Sequence, residues 1–112
     1  MQNDIAKSAA NWWIEHIKEH CSNRYPNRLT DESFLKKLSH LQELLTLEID
    51  KHIQKKDVFY LGCYYFPTHE LSRIAKIANF HYSYFPPDIE MQIKGEDINV
   101  SIKDQPPQQL QI

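Results

Sequence analysis

Residues 89–102 read Ile-Glu-Met-Gln-Ile-Lys-Gly-Glu-Asp-Ile-Asn-Val-Ser-Ile (IEMQIKGEDINVSI). Ile89, Met91 and Ile93 alternate with Glu90, Gln92 and Lys94; after Gly95-Glu96-Asp97, Ile98, Val100 and Ile102 take up the alternation again. Side chains on a strand point to opposite faces in turn, so this period of two predicts a half-buried hairpin turned at Gly95. One face of it needs cover from the rest of the chain.

Working back from the hairpin, Phe80 to Phe85 (FHYSYF) reads as an extended segment stopped by Pro86-Pro87. Before it, Thr68 caps a short helix reaching about Asn79, with Leu71, Ile74, Ala75 and Ala78 inward. Val58 to Phe66 (VFYLGCYYF) is β-branched and aromatic and reads as a buried strand. Phe59, Leu61, Cys63 and Tyr65 would share one face of it; Tyr60, Gly62, Tyr64 and Phe66 would share the other.

The first half of the chain has the helical period instead. A helix from about Asp4 to His20, capped by Asn3 or Asp4, places Ile5, Ala6, Ala9, Ala10, Trp12, Trp13, Ile14 and Ile17 on an arc roughly 200° wide. That width predicts two neighbours, or one neighbour and a partner. Cys21 to Leu29 reads as a loop. Thr30 then caps a second helix running to about Lys56, with Leu29 and Phe34 as a hydrophobic staple. Its stripe is Phe34, Leu35, Leu38, Leu41, Leu44, Leu45, Ile49 and Ile53, with Leu47 off it. The expectation is an α+β fold: two long helices packed on a small sheet made of a strand-helix-strand unit and the C-terminal hairpin. Residues 1–103 form one domain in this reading. Residues 104–112 (DQPPQQLQI) form a disordered, Pro/Gln-rich tail.

Composition removes whole classes of function. Among 112 residues there are only two glycines, Gly62 and Gly95, too far apart to build a phosphate loop or a dinucleotide fingerprint. The hydrolase elbow G-x-S-x-G fails for the same reason. Thirteen basic against fifteen acidic side chains leave a net charge of −2, without the basic excess of a nucleic-acid binder. The first residues, MQNDIAKSAANWW, lack a secretory pattern, and no apolar run is long enough for a membrane. The expectation is a cytoplasmic protein with Cys21 and Cys63 reduced and no cofactor.

Four constellations test for chemistry. His16-Ile17-Lys18-Glu19-His20 matches H-x-x-E-H, in which His16 and His20 would bind a metal and Glu19 would activate water. Such enzymes need a third ligand and a larger chain, so the simpler reading is imidazoles edging a Trp-rich packing face. His52, within the second helix's stripe, reads as a core histidine with one hydrogen-bond partner. Cys63 near His69 and His81 resembles a thiol–imidazole pair, but mid-strand in an apolar run it reads as a small buried hydrophobe. Thr68 to Phe85 has helix-turn-helix spacing, but Pro86-Pro87 would interrupt the recognition helix.

Nine of the thirteen aromatic residues lie between Phe59 and Phe85, too many for one face of one strand. This predicts a partly exposed tyrosine surface, with Tyr60, Tyr64, Tyr82 and Tyr84 as contacts and Trp12 as a second candidate. Gly62, flanked by two of those tyrosines, predicts a notch or a close backbone approach within it.

The order of landmarks — Asn11-Trp12-Trp13, Tyr65-Phe66-Pro67, Phe85-Pro86 and the I-x-M-x-I / I-x-V-x-I hairpin — resembles a set of small uncharacterised phage and prophage proteins of Firmicutes. Phe66 stands where those proteins are expected to carry a glycine. The resemblance brings no catalytic residues. It implies a non-enzymatic inhibitor, of the anti-CRISPR kind, that binds a host protein such as a defence nuclease in the host cytoplasm. The alternatives are a small metal protein or hydrolase on His16 and His20, and a DNA-binding regulator. Leu47 and Trp12 also suit a homodimer contact.

Overall fold

The computed structural model describes residues 2–103 and 105–110, with side chains from Asp4 onward. Helix α1 (Gln2–Arg24) is longer at both ends than its apolar pattern predicts. Asn3 and Asp4 therefore lie inside it rather than capping it, and Cys21 to Arg24 continue the helix instead of looping. Cys21 is fully buried, which supplies the reason: the extra turn carries one more apolar side chain into the core. The wide arc has the expected two-sided cover. Ala6, Ala9, Ala10, Trp13, Ile14 and Ile17 are buried, and α1 packs along α2 (Glu32–Lys55) and against 3-10 turns at Pro26–Thr30 and Tyr82–Tyr84.

The cap of α2 is Asp31, not Thr30. The Thr30 hydroxyl donates to the Asn27 carbonyl at 3.1 Å, closing the 3-10 turn that Pro26 opens. Its oxygen is thus engaged one residue too early, and the Asp31 carboxylate accepts from the Ser33 N–H at 3.0 Å. On α2 the side chains of Phe34, Leu38, Leu41, Leu45, Ile49 and Ile53 are buried. Leu44 is half-buried, Leu35 emerges at the edge, and Leu47 faces solvent as its position off the stripe predicts.

Strand β1 (Val58–Cys63) stops three residues short of the expected end. Helix α3 (His69–Ile77) follows, burying Leu71, Ile74 and Ala75. The hairpin is β2 (Ile89–Lys94) and β3 (Asp97–Ile102), joined through Gly95, whose φ of 59° suits a residue without Cβ. Strand β1 pairs antiparallel with β2, aligning Phe59 with Ile93, Leu61 with Met91 and Cys63 with Ile89. In the next pair Met91 meets Val100 and Ile93 meets Ile98. All these side chains are buried on one face, toward the helices. The opposite face carries Tyr60, Gln92 and Asn99 in one row and Gly62, Glu90 and Ser101 in the next.

Two further expectations fail. Phe80 to Phe85 is not a strand but a turn around Tyr82–Tyr84, which lets Phe80 and Phe85 both reach the core. Part of the expected disordered tail is strand β4 (Gln108–Gln109), paired with β3 through Val100↔Gln108 and Asn99↔Gln109. The open edge of β3 offers unpaired backbone groups that this segment satisfies, and the Leu110 N–H donates to the Ile98 carbonyl at 2.7 Å. Asp104, Gln111 and Ile112, also in that expected tail, lie outside the described residues. The molecule is α+β, with a four-stranded antiparallel sheet in the order β1-β2-β3-β4. No helix among the described residues is long and apolar enough to cross a membrane.

Candidate aromatic interaction site

The end of β1 creates the most distinctive surface. Its partner β2 is six residues long, between Asp88 and Gly95, so the chain beyond Cys63 has no strand to pair with. It folds back instead. The Thr68 N–H donates to the Gly62 carbonyl at 2.8 Å, the Gly62 N–H donates to Thr68 Oγ1 at 3.3 Å, and the Tyr64 N–H donates to the Phe66 carbonyl at 3.3 Å. Tyr64-Tyr65-Phe66 becomes the tip of this loop. Tyr65 is 94% exposed, Phe66 65% and Tyr64 48%. Tyr65 therefore does not share the buried face of Phe59, Leu61 and Cys63. Tyr65 and Phe66 are the most exposed aromatics of the site; alternation placed Phe66 outward but turned Tyr65 inward, and neither was among the expected contacts. The short partner strand is the signal that would have found them.

On the sheet's open face the hydroxyls of Tyr60 and Tyr64 both donate to Glu90 Oε2, with the two phenol oxygens 2.7 Å apart. Burial is the first cause that pushes the Tyr60 hydroxyl pKa up, with the Glu90 and Tyr64 hydrogen bonds adding to it. For Tyr64 the Glu90 hydrogen bond is the main cause of the rise. Both phenols stay protonated, and the carboxylate ties the two rings together. Gly62 is not an empty notch: a Cβ there would stand 3.2 Å from Tyr60 Cε1 and 3.4 Å from Glu90 Cβ. The crowding comes from side chains, not from the close backbone approach that the sequence also offered.

Tyr82, on the 3-10 turn, is 47% exposed, and its ring centre lies 5.3 Å from that of Phe66. Tyr82 thus extends the patch begun by Tyr64, Tyr65 and Phe66. Tyr84 does not. It is half-buried in an aromatic cluster, with ring centres 4.9 Å from Phe34 and 5.3 Å from Phe80 and Tyr25. The 3-10 turn, unlike a strand, sends Tyr82 and Tyr84 in different directions. Trp12 is half-buried on α1, and its ring neighbours are Trp13 and His16.

Beside the patch runs a groove of about 590 Å³ between the start of α2, the end of α3 and the 3-10 turn. Phe34, Ala75 and Phe80 are buried beneath it, and Arg28, Lys37, Lys76 and Tyr82 line its sides. A second groove of about 730 Å³ lies between α1 and α2, reaching Leu47; Trp12 does not line it.

The other constellations resolve into structure. His16 Nδ1 donates to the Trp12 carbonyl at 2.8 Å and its ring lies on Trp12. His20 has its pKa lowered, first by burial. Glu19 is exposed, and among the described residues no group of three His, Cys, Asp or Glu side chains could hold a metal. His52 is half-buried rather than enclosed; it stacks on Phe59 at 3.8 Å, with Asp57 at 2.7 Å and Glu48 at 3.7 Å. Asp57 is its one hydrogen-bond partner, as expected, and Glu48 is a second acidic neighbour beyond hydrogen-bond range. Arg73 joins Glu48 to Glu70, whose carboxyl it holds below its usual range. Burial pushes the Cys21 and Cys63 thiols up to about 11, so neither is a ready nucleophile at neutral pH. Both cysteines are free. Pro86 and Pro87 come one residue after the 3-10 turn, and no recognition helix forms among the described residues there. Comparison with protein families, curated proteins and solved structures finds no match for this chain.

Proposed function

We propose that this protein is a non-enzymatic binding module whose contact surface is the aromatic tip Tyr64-Tyr65-Phe66 together with Tyr82 and the Tyr60–Tyr64–Glu90 cluster. The exposure of Tyr65 and Phe66 carries the reading: Tyr65 stands almost free of the body of the protein, and its neighbour Phe66 is 65% exposed beside Tyr82. Solvating such rings is costly, and covering them in a partner's pocket recovers that cost. One backbone hydrogen bond and one to the Thr68 hydroxyl tie Gly62 to Thr68 and hold the tip in place, so little ordering entropy is lost when a partner closes over it. Tyrosine also supplies hydroxyls for hydrogen bonds at the rim. The resemblance to small phage proteins makes a bacterial host protein, such as a defence nuclease, the proposed partner.

The test compares three immobilised proteins in a bacterial host lysate: wild type, a Tyr65→Ser/Phe66→Ser variant and a Leu47→Ser variant. A host protein retained by wild type and by Leu47→Ser, and lost by at least tenfold from the Tyr65→Ser/Phe66→Ser variant, supports the reading. Retention that the aromatic substitutions leave unchanged overturns it.

A further inference from the structure

The groove beside the aromatic tip has a charge opposite to that of the whole chain. Arg28 from the first 3-10 turn, Lys37 from α2 and Lys76 from α3 line it, against the single carboxylate of Asp31. Asp31 is already engaged, capping α2 through Ser33 and meeting Arg28 at 3.4 Å. Among the described residues neither Lys37 nor Lys76 has a carboxylate in ion-pair range. In a protein of net charge −2, two unneutralised lysines across one cavity make a local positive field.

His81 also lines the groove. Its Nδ1 accepts from the Ser83 N–H at 3.1 Å, so the uncharged ring carries its proton on Nε2. The ring stacks on Tyr82 at 4.5 Å, and Tyr82 in turn meets Phe66. Tyr82 is thus shared between the groove and the aromatic tip, and the two surfaces form one path.

We infer that this groove binds an acidic peptide segment of the partner, one whose carboxylates face Lys37 and Lys76 while an adjoining apolar residue meets Tyr82 and Phe66. The inference rests on the protein-binding reading above and states the chemistry of the partner's contacting segment. Charge complementarity selects the occupant: an acidic strand gains from both lysines, whereas a basic one is repelled. A peptide suits the site better than a nucleic acid, because three cations neutralise few phosphates and the surrounding net charge opposes a polyanion's approach.

The experiment is an NMR titration of the full chain with the peptide Trp-Glu-Glu-Asp-Glu-Glu-Asp-Glu. A peptide with Gln and Asn in place of Glu and Asp is the control, and octathymidylate is the competing probe. The expected result is saturable shifts of the Ser33, Lys37, Lys76 and Asn79 amides with the acidic peptide only. Affinity should fall about tenfold in K37E/K76E and in high salt. The milder Lys37→Gln/Lys76→Gln variant should lose less in proportion, and it serves if the charge reversals do not fold. No shift at these residues up to about 1 mM peptide overturns the inference, because that limit detects even millimolar binding. Equal shifts with the Gln/Asn peptide, or tighter binding of octathymidylate, overturn it as well. The two readings fail separately. If partner retention is lost with Tyr65→Ser/Phe66→Ser but survives K37E/K76E, the aromatic tip stands and the groove does not serve it. The reverse pattern removes the tip and keeps the groove.

Discussion

Gly62 shows what one missing side chain accomplishes on an open sheet face. Its backbone is extended, so any residue could adopt it; space is what selects glycine, with the Tyr60 ring edge 3.2 Å from the position of a Cβ. An added methyl has two opposing effects. It restricts the unfolded chain, which stabilises by about 0.4–1 kcal/mol, and it presses on a ring held by Glu90. These effects nearly cancel in the wild-type background, so Gly62→Ala should change stability by less than about 1 kcal/mol. In a Tyr60→Ala background the pressure is gone, and the same substitution should stabilise by about 0.5 kcal/mol. Urea denaturation of the four proteins measures the difference. An effect of Gly62→Ala that is identical in both backgrounds would show that Tyr60 does not impose the glycine. The cluster itself was half legible. Tyr60 and Tyr64 stand out by spacing, but Glu90 is thirty residues away from Tyr60 in the chain and enters only through strand register.

The junction of the first 3-10 turn with α2 is decided by which oxygen is free. Thr30 has the better-placed sequence signature, yet its hydroxyl is spent on Asn27, and the Asp31 carboxylate takes the Ser33 N–H. Asp31→Ala should therefore cost about 1 kcal/mol, the usual loss for a cap. The exposed Arg28 pair adds little to that. Thr30→Ala should cost well under half as much, since it removes one exposed hydrogen bond. Denaturant midpoints give the order, and the reverse order would return the cap to Thr30. Elements with a sustained period were readable in advance: the hairpin from its alternation, and α2 from a stripe in which six of eight named residues are buried. Segments without a period were not. FHYSYF has strand composition, but Phe80 and Phe85 are drawn to Phe34 and Trp13 across the core. The tail pairs with β3 through backbone groups, which leave no side-chain pattern to read. Tyr65 was misplaced because alternation assumes that the strand continues, and a strand continues only as far as its neighbour does.

The two thiols join these local features to the stability of the whole molecule. Cys21 lies on α1, where its Sγ faces the Tyr84 carbonyl, and Cys63 lies at the end of β1 on the sheet's covered face. They belong to different layers, and each is held protonated by burial, with Asp88 adding to the effect at Cys63. Unfolding returns both to their ordinary value of 9.0, below the folded value of about 11. A folded pKa above the unfolded one means that the unfolded state loses its protons first. The stabilising contribution is therefore complete below about pH 9 and disappears as pH rises toward about 11. Tyr60 acts with the same sign, since burial and Glu90 raise its pKa too. Denaturant midpoints should fall steeply across that window in wild type and less steeply in a Cys21→Ala/Cys63→Ala variant. Equal slopes would show that the thiols ionise without unfolding. Access gives an independent check. A thiol reagent at about pH 8 reaches Cys63 only when the helices part from the sheet, so its labelling should follow the urea transition seen by far-UV circular dichroism. Labelling of Cys21 at lower urea than Cys63 would mean that the end of α1 opens by itself. Because Cys21 is anchored against the turn that carries Tyr82 and Tyr84, such an opening would also loosen the wall of the groove and lower its affinity for the acidic peptide before the sheet unfolds.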